Sequence, residues 1–143
     1  MYDVAELPDG RPYLVMQFAE RGTLEQRLDH LRTRGEAPTL ADVREIAGGL
    51  GAALEAIHGV GVVHRDVKPS NVLLGVAARH SAPEAAAGCV LLRPEDVVML
   101  ADFGVAKDLD TTGRLTMVAG THAYMAPEQR TVGAPIDGRT DLY

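Results

Sequence analysis

His64-Arg65-Asp66-Val67-Lys68-Pro69-Ser70-Asn71 is the stretch on which the reading of this chain turns. It holds one carboxylate, two cationic side chains, and a carboxamide five positions after the carboxylate. Each of these alone is ordinary, since a lone Asp is usually a solvated or capping residue. The combination is specific, and it does not stand alone. Asp102-Phe103-Gly104 follows it, and Ala126-Pro127-Glu128 follows that. A single D-F-G tripeptide is common by chance, whereas three motifs in this order are not.

Working outward, Val72 to Leu74 and Val97 to Leu100 are short apolar runs, expected to pair as strands. Between them, Gly75 to Asp96 is rich in Ala and holds two prolines. It is expected to be an inserted surface loop. Upstream, Leu40, Val43, Ile46, Ala47, Leu50, Leu54 and Ile57 recur with helical period. Thr39 is the expected N-cap of that helix, with Asp42 facing the positive end of its dipole. Gly48, Gly49 and Gly51 weaken it, each by about 0.5–1 kcal/mol relative to Ala, so tertiary packing must hold it. Leu24, Leu28 and Leu31 give a shorter amphipathic helix from Thr23 to about Leu31. Ahead of Gly22, an Asp9-Gly10 turn feeds an apolar strand from Tyr13 to Phe18. Thr111 to Val118 is polar and reads as a loop.

At 143 residues the chain is long enough for one domain with a core. Only 4% of residues are aromatic and none is Trp, so that core must rest on Leu, Val, Ile, Met and Ala. A net charge of −6 argues against a nucleic-acid module, which is normally basic. The one cysteine, Cys89, rules out an internal disulfide framework and fits a reducing compartment. It is either a redox handle or an ordinary small side chain. No apolar run approaches a membrane span, the first residues do not read as a signal peptide, and a cytoplasmic location is expected.

Taken with their order, the three motifs resemble the catalytic half of a eukaryotic-type serine/threonine protein kinase of the bacterial kind. The resemblance implies an α+β, protein-kinase-like fold that is only partly present. Residues 1–19 would be the end of the small lobe and the hinge. Residues 20–143 would be an incomplete, mainly helical large lobe. It also implies ATP and Mg²⁺ as cofactors and proteins as substrates. Relatives of this type are often membrane-anchored.

Phosphoryl transfer asks for positioning and for charge stabilisation. By the resemblance, Asp66 orients the substrate hydroxyl and accepts its proton, and Lys68 neutralises charge on the transferred phosphate. Asn71 and Asp102 ligate Mg²⁺, a hard ion that takes oxygen donors. Thr121 hydrogen-bonds near Asp66 and Lys68, and with Lys68 it marks the serine/threonine branch. Arg65 pairs with a phosphorylated activation loop, for which Thr116, Thr112 and Thr111 are the candidate acceptors. Those threonines could equally be plain solubilising residues. His64 and Phe103 belong to a packed column under the site, and Asp141 braces the backbone around His64. Tyr13 to Ala19 is similar to the strand and hinge that receive adenine. There the backbone of Gln17 and Ala19 would bond the base, with Met16 behind it and Leu73 as its floor.

The resemblance runs from the hinge to the start of the helix after A-P-E. No glycine-rich phosphate loop or V-A-I-K-type lysine precedes Tyr13. Glu128 has no late arginine to pair with, and is expected to be exposed or destabilising. Three readings stay open: a piece of an active kinase, a short non-catalytic binding or regulatory protein, and a remnant that does not fold stably. The 143-residue chain alone is expected to show little or no turnover.

Overall fold

Leu7-Pro8-Asp9-Gly10 builds the first turn. The Gly10 N–H donates to the Leu7 carbonyl at 2.9 Å, with Pro and Asp at the two central positions. Gly10 follows at φ +85°, a conformation that costs glycine little. The turn joins two short antiparallel strands, β1 (Asp3–Glu6) and β2 (Pro12–Val15), with Asp3 opposite Val15 and Glu6 opposite Pro12. The strand expected from Tyr13 to Phe18 therefore ends at Val15, and its partner β1 was not anticipated. The structure is a computed structural model that describes residues 3–76, 88–93, 95–102 and 121–143, the side chains of Thr121 and His122 excepted.

Two capped helices follow. In α1 (Leu24–Thr33), Thr23 and Gln26 form a reciprocal capping box, each side chain serving the other's backbone N–H. The helix closes on Gly35 at φ +68°, where the Gly35 N–H reaches the Arg32 carbonyl and the Glu36 N–H reaches that of Leu31. In α2 (Leu40–His58), Thr39 and Asp42 form a second capping box. It ends in the same way: Gly61 donates to His58 and Val62 to Ile57. The chain then enters the H-R-D stretch, a 3-10 turn at Pro69–Asn71, and the hairpin β3 (Val72–Val76) and β4 (Asp96–Leu100). Val72 opposes Leu100 and Val76 opposes Asp96. Three further 3-10 turns, Thr121–Tyr124, Pro127–Arg130 and Gly138–Leu142, complete the described chain.

The core gathers Leu24 and Leu31 from α1, Val72 from β3, and Leu91, with Leu28, Ile46, Leu50, Val98 and Leu100 packed around them. Leu91 corrects the sequence reading. Gly75, Val76 and Asp96, expected at the ends of a surface loop, are strand residues. Leu91, inside that span, is only 2% exposed.

Asp42 explains how residues 90–92 are held. Its carboxylate is fully buried and accepts from the N–H groups of Val90 (3.1 Å), Leu91 (2.8 Å) and Leu92 (3.0 Å), besides capping Thr39. Burial alone raises the Asp42 carboxyl. Hydrogen bonds from Thr39, Val90 and Leu92 overcome that effect and hold it well below the usual carboxylate range. A second set of contacts ties the same segment to α1 and to the residues just before it. Arg27 donates to the Leu91 carbonyl at 2.9 Å and pairs with Asp96 at 3.2 Å, while Arg21 pairs with Glu95 at 2.9 Å. Burial pushes the Cys89 thiol up, and the Asp42 charge adds to the effect. A raised thiol favours the ordinary small side chain over the redox handle.

Candidate active site

The loop from His64 to Asn71 is fixed from three sides. Asp141 accepts the N–H of His64 at 2.8 Å and that of Arg65 at 2.6 Å, and also contacts His58 Nε2 at 2.7 Å. Asp141 thus braces the backbone at His64 as the resemblance implied. Below the loop, the buried His64 ring accepts the Asp66 N–H at Nδ1 (3.2 Å) and lies 3.0 Å from the Ala101 carbonyl through Nε2. That pattern requires the neutral ring with its proton on Nε2. His64 is therefore a strut between the loop and the residue ahead of Asp102.

Arg65 adopts φ +67° and Asp102 φ +57°, both in the left-handed region that a side chain resists. Such conformations persist where the surroundings over-determine them. At Arg65 the surroundings are the Asp141 bonds on its N–H side and Gln129 Nε2, 2.7 Å from its carbonyl oxygen.

Asp66, Lys68 and Asn71 converge. Lys68 Nζ lies 2.8 Å from Asp66 Oδ2. Asn71 Nδ2 donates to the same oxygen at 3.0 Å and to the Asp66 carbonyl at 2.9 Å. These two bonds fix which way the carboxamide points and leave Asn71 Oδ1 as its available oxygen donor. The Asn71 carbonyl in turn accepts the Ala101 N–H at 2.9 Å. Asp102, exposed, thus follows directly on a residue pinned to Asn71. A carboxylate and a carboxamide oxygen on adjoining strand ends suit a hard divalent cation. Among the described residues, no cluster of three or more His, Cys, Asp or Glu competes as a metal site.

Elsewhere the expected residues are placed less tightly. The Arg21 N–H donates to the Leu74 carbonyl and the Leu74 N–H to that of Gly22, which brings the chain after Ala19 alongside β3 next to Leu73. Met16 is 49% and Phe18 78% exposed, Gln17 is exposed, and Ala19 and Leu73 are half-buried. Thr111, Thr112, Thr116 and Phe103 lie outside the described residues, as does the side chain of Thr121. Glu128 is neither fully exposed nor unpartnered: it is half-buried and accepts the Thr140 hydroxyl at 2.7 Å. Sequence reasoning missed Gln129 altogether, although a Gln directly after A-P-E was there to be weighed.

Comparison with known proteins agrees with this geometry. The family model for the protein kinase domain matches residues 1–143. The serine/threonine-protein kinase AfsK of Streptomyces griseus is 36% identical over 135 residues, covering 92% of this chain and 14% of that protein. PknJ of Mycobacterium tuberculosis is 37% identical over 137 residues, 94% of this chain and 20% of its own length. PkaB of Streptomyces coelicolor is 39% identical over 138 residues, 94% of this chain and 30% of its own length. All three are named serine/threonine-protein kinases, and the chain spans less than a third of each. A hairpin that joins Asn71 to the residue before Asp102, an H-R-D loop braced by Asp141, and a match along the entire sequence together make this chain a member of the protein kinase family.

Proposed function

We propose that the chain carries the phosphoryl-transfer centre of an ATP- and Mg²⁺-dependent serine/threonine protein kinase. The observation that carries this reading is the convergence of Lys68 Nζ and Asn71 Nδ2 on one oxygen of Asp66, with Asn71 linked through Ala101 to Asp102. Asp66 is the base. Its carboxylate orients a serine or threonine hydroxyl and takes its proton. Lys68, paired with Asp66 before substrate arrives, swings its charge to the transferred phosphate. Asn71 Oδ1 and the Asp102 carboxylate would hold Mg²⁺, which when bound neutralises phosphate charge. The exposed hinge supports the nucleotide assignment. Backbone groups of Gln17 and Ala19 make no hydrogen bond to the described residues, which leaves them available to adenine. Arg65 and the threonines at 111, 112 and 116 remain the proposed phosphate-pairing set.

Mg²⁺-dependent binding of a non-hydrolysable ATP analogue, followed by calorimetry, tests the site. Binding should require Mg²⁺ and weaken in Asn71→Ala and in Asp102→Asn. Affinity that is the same with and without Mg²⁺, and unmoved by both substitutions, overturns the assignment. Phosphotransfer to a generic basic protein then separates the two function classes. A rate that falls by about 10²–10⁴-fold in Asp66→Asn supports general-base catalysis. Mg²⁺-dependent binding with no transfer, even when the chain is joined to a small lobe that supplies the phosphate loop and lysine, identifies a non-catalytic, nucleotide-binding regulator instead.

A further inference from the structure

Gln129 makes two hydrogen bonds in opposite directions. Its Oε1 accepts the Ala126 N–H at 3.0 Å, and its Nε2 donates to the Arg65 carbonyl at 2.7 Å. A carboxamide can do both, whereas a carboxylate has no donor and an ammonium no acceptor. The first bond caps the 3-10 turn Pro127–Arg130. The second reaches across 64 positions of sequence to the one residue of the H-R-D loop with a positive φ.

The place of that second bond matters. The Arg65 carbonyl and the Asp66 N–H belong to the same peptide plane. Asp141 fixes the plane before Arg65, through the Arg65 N–H at 2.6 Å. His64 Nδ1 and Gln129 Nε2 fix the plane after it, from its two ends. Rotation of this plane would carry the Asp66 side chain with it. The segment Ala126 to Gln129 is thereby joined to the aspartate through the Gln129 side chain. Arg130 ties the same short segment to itself through the Met125 carbonyl at 3.0 Å.

We propose that Gln129 is a positioning residue that sets the peptide plane bearing Asp66, so that ordering of the 125–130 segment is transmitted to the base. The proposal rests on the reading of Asp66 as that base, and its structural half can be tested without it. The test compares the 143-residue chain with Gln129→Glu, Gln129→Met and Gln129→Lys. Gln129→Glu keeps the acceptor for Ala126 and loses the donor, Gln129→Lys does the reverse, and Gln129→Met loses both. Hydrogen exchange at the Asp66 amide, read by NMR, should accelerate roughly three- to tenfold in the Glu and Met variants, the factor that one hydrogen bond of ordinary net strength represents. Gln129→Lys should restore most of the protection. Affinity for the Mg²⁺-bound ATP analogue should stay within about twofold, while any residual phosphotransfer falls by about the same factor as the exchange rises.

Wild-type protection of Asp66 in Gln129→Glu would overturn the proposal, because the carboxamide would then serve only as a cap. If Gln129→Met fails to fold, the Glu and Lys pair still decides the matter. Phosphotransfer that is undiminished in Asp66→Asn would refute the base assignment, while the exchange data would still report whether Gln129 holds the loop.

Discussion

Asp42→Ala should be among the most destabilising single substitutions in the chain. The carboxylate is fully buried and accepts five hydrogen bonds, two from Thr39 and one each from the backbone of Val90, Leu91 and Leu92. Thr39 lies at a helix start and can turn to water. The Leu91 N–H cannot, because Leu91 is locked in the core, and the part-buried Val90 and Leu92 N–H groups flank it. Stranding a buried donor costs about 1–3 kcal/mol. Three of them, partly relieved by local opening, give about 3–5 kcal/mol against a typical total of about 5–15 kcal/mol. Urea denaturation followed by far-UV circular dichroism measures the loss as a shift in midpoint at constant m-value. A loss below about 1 kcal/mol would refute the reasoning, since it would mean that residues 90–92 are not held by this carboxylate in solution. Acid supplies an independent check. The folded-state Asp42 carboxyl titrates below its unfolded counterpart. Its stabilisation is therefore complete above about pH 4 and is lost as the pH falls below the ordinary carboxylate range. Asp42→Asn takes up no such proton, so its stability should decline less than that of the parent between pH 5 and pH 3.

The glycines of α2 should separate by position. A Cβ on Gly48 or Gly51 meets nothing within 4 Å, so Gly48→Ala and Gly51→Ala should each raise stability by about 0.5–1 kcal/mol in the same denaturation assay. A Cβ on Gly49 would lie 2.7 Å from Val98 Cβ, a stiff β-branched contact, so Gly49→Ala should cost about 1–3 kcal/mol. Leu91→Ala should cost about 2–5 kcal/mol, and its effect should be non-additive with Asp42→Ala, as a double-mutant cycle will show. Asp141→Asn should raise hydrogen exchange at His64 and Arg65 specifically, because the amide it introduces cannot accept at every position the carboxylate now fills.

Local features were legible in the sequence, and long-range ones less so. Thr39 and the Asp42 three residues later read correctly as a helix start, because both partners lie within one turn. The other half of the work of Asp42 was not legible. Its partners are backbone N–H groups 48 to 50 residues away, and backbone donors leave no mark in a sequence. The apolar run Val90-Leu91-Leu92 was the signal that the supposed surface loop returns to the core, and the surrounding alanines masked it. Strand β1 was missed because Asp-Val-Ala-Glu has too little apolar content to stand out. The T-x-x-Q cap of α1 could have been read and was not. The convergence of Asp66, Lys68 and Asn71 was implied by the motif, whereas the grip of Gln129 on the Arg65 carbonyl depends on a fold that brings sequence-distant segments together.

The docked residues 89–93 and 95–96 also bear on how this family can change. Two separate anchorages, Asp42 on one side and the Arg21–Arg27 pair on the other, fix where the chain re-enters the domain, and β3 fixes where it leaves. The positions between Val76 and Gly88 are then bounded by two fixed points. Lengthening a connection between fixed points costs only about 0.6 kcal/mol per doubling. Evolution could therefore lengthen, shorten or rewrite that span without retuning the hairpin that presents Asn71 and Asp102. The same positions are where a protein engineer would graft a reporter or a sensor domain into this chain.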